Sequence, residues 1–294
     1  MTTRLIASLL ILFAAIGVAC GTDDNTSSSA EPATPAVTSA AAAGTPTAAP
    51  LRGDLTVFAA ASLTDAFTEI GAEFQKEYPE VTPKFNFAAS SALRTQLEQG
   101  AKADIFASAD QIQMDRAIEA GVIEGSGQLF VKNKLVVIHP TSNPANIKTV
   151  QDLANPNVKF VLTDKAVPIG AYARTALERL SADPQFGADF GAKVLANLRS
   201  EEANVRAVVT KVQLGEADAG IVYASDVTPA VSKDVQSILI PDQFNTIATY
   251  PIAIVKGASN PDAARAFVEF VRSPKGQEIL KRNNFIVDTE TGAS

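Results

Sequence analysis

From Leu55 to Val271 short apolar runs alternate with segments whose apolar residues recur every three or four positions, and this alternation restricts the fold more than any other feature. Leu55–Ala59 (LTVFA) predicts a strand, and Leu63, Ala66, Phe67, Ile70 and Phe74 share one face of the helix after it. Val81–Phe87 predicts a second strand, with Leu93 and Leu97 marking a second helix. Asp104–Ala107 (DIFA) predicts a third strand, followed by a helix carrying Met114, Ala117 and Ile118. Leu135–Ile138, Phe160–Leu162, Gly220–Tyr223 and Tyr250–Val255 read as further strands, and 171–180, 205–214 and 261–271 as helices. Strands that alternate with helices imply parallel α/β sheets covered on both faces. At this length two such lobes are expected rather than one, with the chain crossing between them near Lys134–Pro140 and again near Ala248–Val255.

Charge and rare residues remove whole classes of function. The chain carries 25 Lys and Arg against 32 Asp and Glu, a net charge of −7, with no basic block. It therefore lacks the electrostatic footprint of a nucleic-acid binder. A single cysteine excludes an intrachain disulfide and any cysteine-cluster zinc site. The single histidine, His139, excludes multi-histidine metal centres and is the one candidate for a histidine base. Asp104 and Asp110 are explained by turn and cap chemistry rather than by a cation. Arg94 and Arg206 are expected to be solvated helix residues, with a bias on the cleft potential as the alternative for either.

The amino terminus reads differently. Met1–Arg4 is a short basic start, and Leu5–Ala19 is apolar but shorter than the 20 or so residues a bilayer span needs. The stretch 1–19, ending just before Cys20, resembles a bacterial lipoprotein signal, although Gly17 stands where that pattern usually has Leu or Val. The resemblance makes Cys20 the lipidated first residue of the mature chain. Of residues 21–50, 25 of 30 are Gly, Ser, Thr, Ala or Pro, too few large apolar groups to offset ordering entropy. Residues 20–53 are thus read as anchor and flexible tether, and 289–294 as a tail. The folded body divides into one lobe of 54–134 with 250–288 and a second of 135–249.

Chemistry is expected where strands hand over to helices. Ser62 follows AAA after the first strand, and Asp65 three residues on has capping-box spacing. Ser90 stands at the start of the second helix, Val167-Pro168-Ile169-Gly170 opens 171–180, and Asn204-Val205 opens 205–214. Each opening offers N–H groups at the positive end of a helix dipole, and two add a hydroxyl, which is an anion-binding kit. Taken singly, each is no more than an ordinary helix cap, and Tyr223 no more than a core tyrosine.

TVFAAASLTDAF, FAASSALRTQLEQGAKADIFASAD, VPIGAYA, NVRAVV, GEADAGIVYASD and YPIAIV occur in that order. Together they resemble the periplasmic molybdate-binding proteins of bacterial molybdate ABC transporters. The resemblance implies a two-lobed α/β periplasmic-binding-protein fold of type II. In it each lobe is a mostly parallel sheet flanked by helices, with the ligand cleft between the lobes. It implies an exported, non-enzymatic, monomeric lipoprotein that holds molybdate or tungstate without cofactor or bare cation. That protein sits on the outer face of the cytoplasmic membrane and delivers its ligand to a membrane permease. Carried over position by position, the ligand donors are the hydroxyls of Ser62, Ser90 and Tyr223 and the main-chain N–H groups of Ile169 and Val205. Relatives often have Ala at the position of Ile169 and DVR where this chain reads Asn204-Val205-Arg206.

Other readings compete. A serine hydrolase would use Ser62 or Ser90 with His139, but neither serine lies in a G-x-S-x-G elbow. A binder of sulfate, phosphate or ferric iron is a second alternative, although four tyrosines are few for a ferric site. A tethered adhesin or sensor is a third. Cys20→Ser is expected to release the protein from membranes or to stall its processing, as read by fractionation. Full membrane retention of correctly cleaved Cys20→Ser protein would overturn the anchor.

Overall fold

The computed structural model describes residues 50–287. The signal, Cys20, the tether up to residue 49 and the tail lie outside the described residues, and Gly53, assigned to the tether, already belongs to the first strand. The chain runs β1 (Gly53–Ala60), α1 (Thr64–Glu77), β2 (Val81–Ala88), α2 (Ser90–Glu98), β3 (Ile105–Ala107), α3 (Gln111–Glu119) and β4 (Gln128–Asn133). It continues through β5 (Leu135–Pro140), β6 (Phe160–Thr163), α4 (Pro168–Ser181), α5 (Phe190–Ala196), β7 (Leu198–Glu202), α6 (Val205–Gln213), β8 (Ala219–Tyr223) and β9 (Val235–Leu239). It ends with β10 (Ala248–Ile254), α7 (Pro261–Arg272) and α8 (Pro274–Arg282). These strands form two five-stranded sheets, ordered β2-β1-β3-β10-β4 and β7-β6-β8-β5-β9. Helices flank both, which is the expected two-sheet α/β architecture.

The sheets are mixed rather than mostly parallel. β1 pairs parallel with β2 and β3, and β6 pairs parallel with β7 and β8. These pairs are joined by helical crossovers, as parallel strands require. β10 runs antiparallel to β3 and β4, and β5 runs antiparallel to β8 and β9. The reason is the chain path. β5 arrives directly from β4 of the other sheet, and β10 arrives from β9. Each incoming strand enters from the opposite end and takes the fourth place in its new sheet. The return was expected to place 250 first in the first lobe, but pairing begins two residues earlier, at Ala248 opposite Asn133.

Burial follows from the apolar periodicity. In the first sheet α1 and α7 meet over an aromatic cluster, with Phe74 5.2 Å and Phe67 6.0 Å from the Phe267 ring, both edge-on. The second sheet is packed mainly with aliphatic residues, among them Val137, Leu162, Ala173, Leu177, Val208 and Ile221, beside a smaller aromatic contact of Phe186 with Phe190 and Phe244. Register brings Ala60 opposite Ala88 and Ala59 opposite Ala107, so the carboxyl ends of β1, β2 and β3 finish nearly level. Such ends are where open α/β sheets leave room for ligands.

Close packing at the opening of α4 depends on Gly170. A Cβ there would lie 2.1 Å from the Asp164 carbonyl oxygen and 2.7 Å from that of Thr163, both main chain. Gly170→Ala should therefore push the first turn of α4 off β6 and cost about 1–3 kcal/mol. A denaturant midpoint indistinguishable from that of the native protein would contradict this.

Candidate functional site

Four helix openings converge on one small cavity, lined by Ala60, Ala61, Ser62, Ala88, Ala89, Ser90, Ala109, Val167, Pro168, Ile169, Asn204, Val205 and Tyr223. All five residues singled out in the sequence face this space. None of the lining side chains carries a formal charge.

Each donor is exposed by a local feature of its helix. After β1 the chain makes a 3₁₀ turn at Ala61–Leu63 that runs into α1, and the capping position, Ala60, has no side-chain acceptor. The expected capping box of Ser62 and Asp65 does not form. Ser62 lies inside the turn, where its buried hydroxyl meets Tyr250 Oη at 2.9 Å, and Asp65 is drawn to Arg206. At α2 the capping position is Ala89, and Ser90 Oγ accepts the Ala109 N–H at 2.9 Å. At α4, Pro168 has no N–H, so Ile169 supplies the first amide of the helix, which has no carbonyl a turn earlier to bond. At α6, Asn204 Oδ1 accepts from the third amide, Ala207, at 3.2 Å, leaving those of Val205 and Arg206 unclaimed by the cap.

Tyr223 closes the set at the end of β8. It is 1% exposed, and its ring lies edge-on to Tyr250 at 5.8 Å. Its hydroxyl lies close to that of Tyr250 and makes no hydrogen bond of good geometry. Burial pushes the Tyr223 phenol well above its ordinary pKa, so it stays a neutral donor. An orphaned buried hydroxyl costs roughly 1–3 kcal/mol, and a ligand oxygen in the cavity would remove that cost.

The competing chemistry is not assembled. His139 is buried on β5, where Nδ1–H donates to the Pro140 carbonyl at 2.9 Å, and it does not line the cavity. Asp110 caps α3 through the Gln113 N–H at 2.8 Å. Asp104 accepts the main-chain N–H groups of Thr56 and Asn260 at 2.7 and 2.9 Å. Among the described residues no group of three or more His, Cys, Asp or Glu could hold a metal ion.

The family model described as bacterial extracellular solute-binding protein matches residues 55–286. The chain belongs to that family. The molybdate-binding protein ModA of Mycobacterium tuberculosis is 36% identical over 285 residues, covering 97% of both chains. The periplasmic molybdate-binding protein of Azotobacter vinelandii superposes with a TM-score of 0.70 at 19% identity, over 80% of this chain and all of that one. The sulfate-binding protein SubI of M. tuberculosis superposes with a TM-score of 0.71 at 19% identity, over 81% of this chain and 88% of that one. The last two share the fold, and the fold serves proteins named for two different anions. In this solute-binding protein the ligand must therefore be argued from the site.

Arg206 is not the solvated helix residue expected from the sequence. From α6 it reaches elements of the other sheet, pairing with Asp65 of α1 and pointing Nε at the Ala61 carbonyl at 3.3 Å. Nε also lies 3.5 Å from Asp226 Oδ1. Arg94 is likewise engaged, through Glu98 and Gln113, away from the cavity. Asp226 follows Tyr223 in a short 3₁₀ turn, is fully buried, and accepts the Tyr223 N–H at 3.0 Å through Oδ2. Nothing in the spacing of YASD announces these partners, because they come from separate elements.

Burial pushes the Asp226 carboxyl up to about 6 from about 3.8, with the Arg206 charge opposing the rise. Between those values the folded chain keeps a proton that the unfolded chain has lost. The stability this proton provides is full below pH 4 and is lost as the pH rises through 6. Asp226→Asn does not titrate. Its stability relative to the native protein should rise between pH 4 and 7 by on the order of 2–3 kcal/mol, measured by urea unfolding. A difference that stays flat with pH would show that Asp226 is ionised throughout.

Proposed function

We propose that this solute-binding protein captures molybdate, and tungstate with it, between its two sheets and delivers the anion to an ABC permease. The observation that carries this is the convergence of Ser62, Ser90, Ile169, Val205 and Tyr223 on one small cavity without a carboxylate. The 36% identity to a protein named for molybdate, across almost the whole chain, supports the same ligand. A dianion cannot be buried without donors to its oxygens, because unpaired charge is very costly to remove from water. Three hydroxyls and two helix-terminal amides meet that need, and the helix dipoles add positive potential. No guanidinium lines the space, so the ligand stays bound by many moderate contacts rather than one strong pair.

The protein binds and releases its ligand without chemical change. Molybdenum enters as an oxyanion, with no cofactor. Export through residues 1–19, lipidation of Cys20 and tethering by residues 20–53 would hold a monomer at the outer face of the cytoplasmic membrane. Lobe boundaries at 54–134 with 250–288, and at 135–249, fit a chain that crosses at Lys134 and returns before Tyr250.

Selectivity follows from the donor polarity. Molybdate and tungstate present only acceptors, so every oxygen can be satisfied. Hydrogen phosphate brings an O–H that would face donors, a loss of about tenfold to more than a hundredfold in affinity. Sulfate avoids that penalty but is smaller, so fixed donors cannot all reach it at good distance. Calorimetric competition should give molybdate and tungstate tight, sulfate weak, and phosphate weakest near neutral pH. Phosphate binding as tightly as molybdate would mean that a proton acceptor lines the site.

A further inference from the structure

We propose that Tyr250 and Asn133 form a relay that fixes the direction of the Ser62 hydroxyl, committing it to donate to the bound anion. The proposal rests on the oxyanion reading of the cavity. Neither relay residue lines that cavity, so both act through Ser62 as positioning residues.

The proposed direction starts from one end. Asn133, fully buried at the end of β4, accepts the Lys134 N–H through Oδ1 at 2.9 Å. Its other terminal atom is therefore Nδ2, which only donates. Nδ2 donates to Ser225 Oγ at 2.8 Å and to Tyr250 Oη at 3.4 Å. With Asn133 donating to it, Tyr250 in the proposed arrangement turns its single proton to Ser62 Oγ, 2.9 Å away. Ser62 Oγ is then occupied as an acceptor, and its own proton is left for the cavity. Ser225 completes the ring, donating to the Ser62 carbonyl at 3.4 Å. Ser90 reaches the same polarity by another route, since the Ala109 N–H already occupies its oxygen.

A free serine hydroxyl can either donate or accept. An accepting serine would welcome the proton of hydrogen phosphate and would turn a lone pair toward molybdate. The relay occupies one lone pair of Ser62 Oγ and turns its proton toward the cavity, which favours donation. It also joins four separate places in the chain: the end of β4, the turn after β8, the turn after β1, and β10.

Tyr250→Phe removes only Oη and keeps the ring against Phe130, Tyr223 and Phe285. Asn133→Asp keeps an acceptor for Lys134 but replaces the donor that faces Tyr250. The Tyr250 proton then turns toward Asp, and Ser62 must donate to Tyr250. The experiment titrates the purified parent and both variants with sodium molybdate and with sodium phosphate near neutral pH. The ratio of phosphate Kd to molybdate Kd is expected to fall about tenfold or more in each variant. A role confined to packing would weaken both anions by one factor and leave the ratio unchanged. An unchanged ratio in either folded variant, beside a parent that prefers molybdate, overturns the relay alone. A parent that binds neither anion overturns the oxyanion reading and the relay with it.

Discussion

Taking a small dianion out of water without giving it a counter-charge is the constraint on which the rest of this structure depends. The transfer cost of an unpaired ion is far larger than any single hydrogen bond can offset. Donors must therefore arrive in number, and their own desolvation must be small. Helix-terminal amides meet both conditions, since they lack intrahelical partners and already carry the dipole's partial charge. The capping pattern matches this demand. Ala60, Ala89 and Val167 hold the capping positions of the first-turn 3₁₀ segment, α2 and α4, and none offers a side-chain acceptor to compete with a ligand. At α6 the Asn204 cap engages Ala207 and leaves the first two amides alone.

Such openings converge only because elements of both sheets meet at the cavity. The level ends of β1, β2 and β3 deliver Ser62 and Ser90 from one side. The opening turns of α4 and α6 and the end of β8 deliver Ile169, Val205 and Tyr223 from the other. The strands that cross between sheets, β5 and β10, enter antiparallel and lie inside their sheets rather than at an edge. They are therefore clamped on both sides by hydrogen-bonded neighbours. Charge is used beside the cavity and not within it. Arg206 ties α6 to Ala61 and Asp65 on the far side while also approaching the buried Asp226. A cation held by carboxylates in this way adds little net field at the ligand.

Much of the fold was legible because the strongest signals are periodic. LTVFA, LVVI and GIVY are continuous apolar runs, and a buried strand needs both of its faces apolar. Weaker elements escaped. β7 (LRSEE) and β9 (VQSIL) are edge strands with exposed positions, so their burial patterns carry little signal. In α8 only Gly276, Ile279 and Leu280 are buried, too few to mark a helical face. The mostly parallel sheets expected from alternation became mixed ones because strand direction depends on which sheet a strand arrives from. Ser62 and Asp65 had the spacing of a capping box, yet Tyr250 and Arg206, distant in sequence, claimed both side chains.

By itself the sequence determined the secondary structure of the main strands and helices, the neutral chemistry of the donors, and their placement at helix starts. These are local properties, set by side-chain periodicity and by what a helix terminus leaves unpaired within a few residues. Only the tertiary structure decided that Ser62, Ser90, Ile169, Val205 and Tyr223 share one cavity, that Arg206 joins α6 to α1, and that Tyr250 and Asn133 stand behind Ser62. Each of those facts joins residues from separate elements: Ser62 and Tyr250 lie 188 positions apart, and Arg206 and Asp65 lie 141 apart. A hydrogen bond depends on distances of a few tenths of an ångström. No local pattern encodes such distances between remote segments; they exist only once both sheets have packed.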